Sequence, residues 1–133
     1  MKNKWMVVLI TCVMALSAVP VLAEDVTIEG TVTGYMCAVL GKACPADKED
    51  PIVAAERAFV VMKSDGEYFL VPNVDRAVMA RHLTEKVRIK GTMDGKYKAI
   101  NAMSLEAMKN DKWTVFWSQA MEDEALKMLS TQH

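Results

Sequence analysis

Residues 30–44 read Gly-Thr-Val-Thr-Gly-Tyr-Met-Cys-Ala-Val-Leu-Gly-Lys-Ala-Cys, an extended segment that leads into a loop beginning and ending in cysteine. From Val26 onward, apolar residues or glycine alternate with polar residues, which predicts a half-buried strand of period two. Glycine weakens a strand unless bending or close approach requires it. Gly30 and Gly34 therefore predict a first strand that coils around a small barrel and pairs with two neighbours.

The first 23 residues are typical of a secretory signal peptide. Lys2 and Lys4 precede an apolar run, and a small-residue cleavage site ends at Ala23, ahead of acidic Glu24. A membrane anchor is the alternative, but the apolar run is short for a bilayer and ends at a proline. We expect cleavage after Ala23, which also removes Cys12 and leaves a periplasmic or secreted protein with no membrane span.

Charge and length limit what the mature chain can do. Loss of Lys2 and Lys4 leaves 14 basic and 17 acidic side chains on 110 residues, a net charge of −3. A chain of that length forms one domain with one modest core. The negative balance and the export signal both disfavour nucleic acid as a partner. The expected partner is another exported protein or a small ligand.

Cys37 and Cys44 are the two cysteines of the mature chain, an even number in an oxidising compartment. A disulfide is the favoured interpretation, and closing so short a loop would stabilise the fold by roughly 2–3 kcal/mol. The alternative is a site for copper or zinc that adds Met36 or His82 to the two thiolates. A redox-active dithiol is a further alternative, although no C-x-x-C pair is present.

Two β-rich runs, at 59–62 and 68–71, flank the dipeptide Asp65-Gly66. This arrangement predicts a hairpin, because both turn residues tolerate the positive φ angles of a tight turn. Pro72 lacks the N–H that a continuing strand would donate, so the second run is expected to end there.

A helix and a second hairpin are predicted next. Asn73 can cap a helix of about ten residues. Residues 86–93 alternate, an Asp-Gly turn follows, and a last strand is predicted over 96–105. The order strand, strand, strand, helix, strand, strand is that of a five-stranded OB-fold barrel. The predicted fold is thus all-β with added helices, with the barrel over residues 24–110.

The remaining segment, 111–133, predicts a C-terminal amphipathic helix and a short tail. Its large and small apolar residues fall at helical spacing: Trp113, Phe116, Trp117, Ala120, Met121, Ala125 and Met128. The helix is expected over 113–129 with Asn110 or Asp111 as its cap. A strand through 113–117 is the alternative. The aromatic face needs a covering, either the barrel itself or a partner protein.

Four short motifs lie between residues 26 and 105. They are Gly-Thr-Val-Thr-Gly-Tyr-Met-Cys at 30–37, the second cysteine at 44, Gly-Glu-Tyr-Phe-Leu at 66–70 and Val-Arg-Ile-Lys-Gly-Thr at 87–92. With the signal peptide, these motifs resemble the small exported bacterial OB-fold proteins of unassigned function. Those proteins often carry a histidine just before the second cysteine and a third cysteine after it. This chain has neither, which argues against metal binding, and its segment after residue 113 lies outside the resemblance.

The sequence contains no Ser-His-Asp, Cys-His or paired-carboxylate arrangement with a supporting local motif, so no catalytic residue is predicted. OB barrels most often bind through the face of the second and third strands and the nearby loops. The expected binding surface combines Tyr35, Met36 and Tyr68, with Arg88 and Lys90 if the fourth strand lies beside them. The sequence thus predicts an exported, non-catalytic binding or assembly module, with a soft-metal or thiol-redox protein as the alternative.

Overall fold

The computed structural model describes residues 23–42 and 44–131, and within them the chain forms six strands and four helices. In chain order these are β1 (Glu24–Gly34), α1 (Tyr35–Val39), α2 (Ile52–Ala55), β2 (Phe59–Met62), β3 (Tyr68–Leu70), α3 (Arg76–Ala80), β4 (Lys86–Met93), β5 (Ile100–Lys109), β6 (Lys112–Ser118) and α4 (Gln119–Ser130). The prediction of an all-β protein with added helices and a C-terminal helix is confirmed.

The predicted signal peptide over residues 1–23, including Cys12, lies outside the described residues except for Ala23. Among the helices of the described part, none has the length and apolar character needed to cross a bilayer.

All six strands belong to one antiparallel sheet with the order β3-β2-β1-β4-β5-β6. The long strand β1 pairs with β4 through Glu24 to Thr31 and with β2 through Thr31 to Gly34. A Cβ at Gly30 would lie 2.5 Å from the carbonyl oxygen of Met62, so a glycine is needed where β2 approaches β1. The predicted first strand with two neighbours is therefore confirmed.

One edge of the sheet curls back onto its interior strands. The N–H of Leu70, in β3, donates to the carbonyl oxygen of Lys98 at 2.8 Å, and Leu70 forms an isolated parallel bridge with Ala99. Three strands separate β3 from β5 in the sheet, so this contact requires strong curvature. A single bridge does not close the sheet, and an opening remains beside β3.

The main core takes side chains from all six strands and from the α3 segment. Its fully buried members include Val32, Leu83, Val87, Ile89, Ile100 and Leu105. Cys37, Ala38 and Val60 are also buried but lie outside this cluster, where α1 packs beside β1 and β2. The curved sheet thus has a second, smaller packed layer at its α1 end.

The prediction of a helix over 113–129 is wrong for residues 113–118, because residues 112–118 form β6. Asn110 and Asp111 have φ angles of 50° and 59° and make the two-residue turn between β5 and β6, instead of capping a helix. Aromatic and β-branched residues then favour the extended chain, which pairs with β5. α4 begins only at Gln119, where the Ser118 side chain accepts from the N–H of Met121 at 3.2 Å.

The predicted ten-residue helix is also shorter, because Asp75 and not Asn73 is its cap. The Asp75 side chain accepts from the N–H of Ala77 at 2.6 Å and starts the five-residue α3. Asn73 instead bonds to both backbone groups of Ala102, each at 2.8 Å. Its amide therefore ties the chain before α3 to β5.

The last strand of the predicted barrel begins four residues later than expected. The Asp94 side chain accepts from the N–H groups of Lys96 and Tyr97 at 2.8 and 3.1 Å, which holds those residues in the turn. β5 therefore starts at Ile100 and continues to Lys109. The short helices α1 and α2 were not predicted, because each is a single turn whose own N-cap residue, Gly34 or Pro51, offers no capping side chain.

Candidate functional site

The cysteine loop lies directly after β1, as predicted, and its two ends are joined. Cys37 is in α1 and forms a disulfide with Cys44, with their Cα atoms 5.4 Å apart. Cys37 is 2% exposed, whereas Cys44 is partly exposed. The predicted disulfide is present in the structure.

A buried carboxylate that sequence reasoning missed lies against this bridge. Glu56 is 3% exposed, and its two oxygens accept from the N–H groups of Met36 and Cys37 at 3.1 and 3.4 Å. Its Oε1 also lies 3.4 Å from Cys37 Sγ. A Cβ at Gly34 would lie within 3 Å of three Glu56 side-chain atoms, so this glycine makes room for the carboxylate.

Of the predicted binding residues, the two tyrosines are brought together. The rings of Tyr35, in α1, and Tyr68, in β3, meet edge to face with centroids 6.0 Å apart. The Lys98 ammonium lies 5.9 Å from the centre of the Tyr68 ring. Met36 is 54% exposed on α1, one residue along the chain from Tyr35.

Arg88 and Lys90 lie elsewhere, because β1 and β2 separate β4 from β3. Arg88 bonds to Glu29 at 2.7 Å, and its guanidinium lies 4.0 Å from the centre of the Trp113 ring. Lys90 pairs with Glu106 at 3.1 Å. The hydrogen bond from Arg88 is the largest cause that holds the pKa of Glu29 below its usual value. On this outer face, Arg88 and Lys90 therefore belong to a network of ion pairs with Glu29 and Glu106.

His82 has its own set of neighbours. Its Nδ1 lies 2.7 Å from the Glu85 carboxylate, and its ring stacks on Phe116 with centroids 3.6 Å apart. Burial acts to raise the pKa of Glu85, but hydrogen bonds from Lys48 and His82 outweigh it and lower that pKa. Among the described residues no group of three or more His, Cys, Asp or Glu side chains could hold a metal ion.

The opening beside β3 forms an apolar cavity of about 430 Å³, which we call the β3 cleft. It lies where β3 meets the turn before β5. Its lining is mostly apolar, with two arginines and one aspartate: Arg57, Ala58, Phe59, Leu70, Val71, Pro72, Val74, Arg76, Met79, Asp94, Tyr97 and Ala99. Phe59, Val71, Val74 and Met79 are core residues, so one wall of the cleft is the core itself.

Two cations and one aromatic ring mark the rim of the β3 cleft. Tyr97 is 61% exposed. The Arg76 guanidinium donates to the carbonyl oxygen of Glu56 at 2.8 Å and lies 5.0 Å from the centre of the Phe59 ring, so it is held in place. Arg57 is exposed and forms no ion pair with any described residue. An apolar floor with a cation at the rim can accept an apolar molecule that carries a negative charge.

A second cleft, of about 490 Å³, is more polar and lies beside Gly30. Its charged residues already have partners: Lys63 pairs with Glu67 at 2.8 Å, and Lys86 pairs with Glu29 at 3.5 Å. The hydrogen bond from Glu67 is the main cause that raises the pKa of Lys63. Because its charges are paired with one another, this cleft is the weaker candidate for a ligand.

No protein-family model matches the chain, and neither the curated proteins nor the solved structures contain a significant match to it.

Proposed function

We propose that this protein is an exported, non-catalytic binding module that holds an apolar ligand or an apolar side chain of a partner protein in the β3 cleft. The observation that carries the proposal is the cleft itself, whose wall is formed by core residues and whose rim keeps Tyr97 and Arg57 exposed. Pockets that bind small molecules combine a large apolar lining with a few polar groups that set orientation.

The strand order supports an OB-type fold as the basis of this function. Support for this proposal comes from the order β3-β2-β1-β4-β5, from the helix between β3 and β4, and from the parallel bridge between Leu70 in β3 and Ala99 just before β5, which are features expected of a five-stranded OB barrel. On this proposal β6 extends the barrel at the far edge. By analogy of fold, OB barrels commonly bind ligands near their second and third strands, and the β3 cleft lies beside β3.

Export is part of the proposal and rests on two features. The first 23 residues have the charge, apolar run and small-residue site of a secretory leader. The Cys37–Cys44 disulfide is the kind of bond that persists in an oxidising compartment. Together they support a periplasmic or secreted location, where another exported protein or a small ligand would be the partner.

The β3 cleft can be tested with 1-anilinonaphthalene-8-sulfonate, which joins an apolar ring system to one negative charge. We expect saturable binding of one probe per chain, and Arg57→Glu should weaken it about tenfold because the cation at the rim becomes an anion. Arg81→Glu is the matched control, since Arg81 is also exposed but does not line the cleft. Equal weakening by both substitutions, or no saturable binding, would contradict the proposal.

A thiol-redox or soft-metal protein is the second candidate, favoured by the position of Cys44 on the wall of a small cavity. Copper or zinc could be bound there only after reduction, because both sulfurs are joined in the disulfide. Intact mass with and without reductant, together with metal analysis of the purified protein, separates the candidates. A mass two hydrogens light without metal supports the binding module, and about one metal ion per chain supports the second candidate.

A further inference from the structure

The buried side chain of Glu56 does not line the β3 cleft. Met36 and Cys37 donate their N–H groups to the two oxygens of Glu56, and the side chain packs against Gly34, where an added Cβ would lie within 3 Å of it. Both oxygens accept hydrogen bonds, as they do in a carboxylate. The same side chain lies 3.4 Å from one sulfur of the disulfide.

We propose that Glu56 protects the Cys37–Cys44 disulfide against thiol reductants, by placing a fixed negative charge where negative charge must form when the bridge opens. This role is independent of ligand binding in the β3 cleft. It makes Glu56 a positioned electrostatic group, since the carboxylate forms no covalent bond during the reaction.

The two cysteines of the disulfide differ in solvent exposure, and this difference decides which sulfur a reductant attacks first. Cys37 is 2% exposed, whereas Cys44 lines a cavity of about 250 Å³ together with Thr33 and Pro45. A reductant thiolate therefore reaches Cys44 Sγ and forms a new sulfur–sulfur bond there. The bond between the two cysteines breaks, and its electron pair stays on Cys37 Sγ as a thiolate.

The reductant that completes the reaction is one dithiol or two monothiols. A second reductant thiolate attacks the mixed disulfide, releases Cys44 and leaves as the oxidised reductant. The two protons of the reductant thiols end on the two cysteines. Two electrons thus pass from reductant to protein, and the group that leaves in the first step is the buried one.

The charge on departing Cys37 forms beside Glu56 Oε1, where both residues are almost completely buried. Two negative charges at this distance repel, and the repulsion is larger in a buried site than in water. A nearby negative charge raises the pKa of a thiol, and a thiol of higher pKa leaves more slowly. The N–H groups of Met36 and Cys37 cannot compensate, because Glu56 already occupies both.

The test compares reduction rates of the purified oxidised protein with dithiothreitol at neutral pH, followed by thiol alkylation and mass measurement. Glu56→Gln keeps the size of the side chain and removes its charge, and we expect reduction about tenfold faster. Glu106→Gln is the matched control: Glu106 is also buried, at 9% exposure, but pairs with Lys90 on another face. No acceleration by Glu56→Gln, or equal acceleration by both variants, would overturn the proposal.

A third variant separates charge from packing. Glu56→Asp shortens the side chain and disturbs its contacts with α1, but it keeps the negative charge. Because the charge is what slows reduction in this proposal, we expect slow reduction to be largely retained. Acceleration by Glu56→Asp equal to that of Glu56→Gln would show that loop opening, and not charge, sets the rate, and would overturn the proposal. With glutathione, the first mixed disulfide should form on Cys44; its formation on Cys37 would contradict the direction of attack.

Discussion

The two edge strands of the sheet have different surroundings. At the β3 edge, Leu70 binds back to the turn before β5, and the remaining opening is a concave cleft whose wall consists of core residues. At the β6 edge, the chain continues into α4, none of whose twelve residues is buried. Apolar side chains there are at least half exposed: Met121, Leu126, Met128 and Leu129.

This difference separates two kinds of apolar surface. Apolar groups in the β3 cleft are fixed by the core behind them, so a ligand finds a shape that already exists. Apolar groups on α4 belong to a helix without buried residues, whose contacts with β6 include its Ser118 cap and a hydrogen bond from Trp117 Nε1 to Glu122 at 3.0 Å. We therefore propose that binding occurs at the β3 edge, and we expect the two edges to respond differently to substitution.

The largest difference is expected in packing. Phe69→Ala, at a residue of β3 that is 4% exposed, should reduce the free energy of unfolding by about 3–5 kcal/mol, because it removes a core ring. Val115→Ala, at an exposed residue of β6, should change it by less than about 0.5 kcal/mol. Urea unfolding measures both values. Comparable losses at the two positions would mean that Val115 is packed as firmly as Phe69.

The next effect concerns the disulfide at the α1 end of the sheet. Replacing both Cys37 and Cys44 with alanine should reduce the free energy of unfolding by roughly 2–3 kcal/mol, because the unfolded chain is no longer restrained by the short loop. Urea unfolding of the oxidised wild type and of the variant gives this difference. A loss below about 0.5 kcal/mol would contradict this prediction. It would mean that residual contacts already restrain this loop in the unfolded chain, so that the disulfide adds little.

A smaller effect is expected from the network of ion pairs on the outer face of β4. The hydrogen bond from Arg88, with its charge and that of Lys86, lowers the pKa of Glu29 in the folded protein. Ionised Glu29 therefore stabilises the folded protein at pH values above the usual glutamate pKa. This contribution is lost as the pH falls through the lowered pKa of Glu29. Between about pH 5 and pH 3, wild type should lose stability more steeply than Glu29→Gln.

The measurement for this prediction is the urea midpoint at each pH, repeated at high salt. Because Glu29 is exposed, added salt should reduce the difference between wild type and the variant. Parallel pH profiles at low salt would show that the pairing with Arg88 does not stabilise the folded state.

The smallest effect is expected on α4. Leu129 is 64% exposed, so Leu129→Ala should change the free energy of unfolding by less than about 0.5 kcal/mol. The unfolding midpoint in urea is again the measurement. A loss above about 1.5 kcal/mol would mean that α4 packs in solution against the sheet or against a second molecule, and the two edges would then be more alike than described.

The parts of the fold that depend on neighbouring residues were predictable from the sequence. Alternation after Val26 predicts β1, and Asp65-Gly66 predicts the first hairpin, in which Gly66 has a φ angle of 87°. The even pair of cysteines predicts the disulfide. In each case the physical cause lies within a few residues of the pattern.

The C-terminal segment shows where local patterns fail. Trp113, Phe116 and Trp117 fit a helical face, yet the same residues also have high strand propensity, and pairing with β5 decides in favour of the strand. The signal that could have resolved this is Asn110-Asp111, two residues that tolerate positive φ and are suited to a two-residue hairpin turn.

The binding surface predicted from the sequence and the β3 cleft do not coincide, because the cleft is assembled by long-range contacts. The structure brings the predicted residues Tyr35 and Tyr68 together, but neither of them lines the cleft. The β3 cleft could not be found, since it exists only when Leu70 meets Ala99 across the curved sheet. Glu56 was missed because a glutamate between two short apolar runs has no spacing that marks it as buried.

The most direct test of binding at the β3 edge is a map of backbone amide shifts on the 15N-labelled protein as 1-anilinonaphthalene-8-sulfonate is added. Shifts concentrated at the residues of the β3 cleft, including Arg57, Leu70 and Tyr97, and reduced by Arg57→Glu are the result that we predict. Shifts confined to α4 and β6, with the β3 cleft unchanged, would contradict the assignment of binding to the β3 edge.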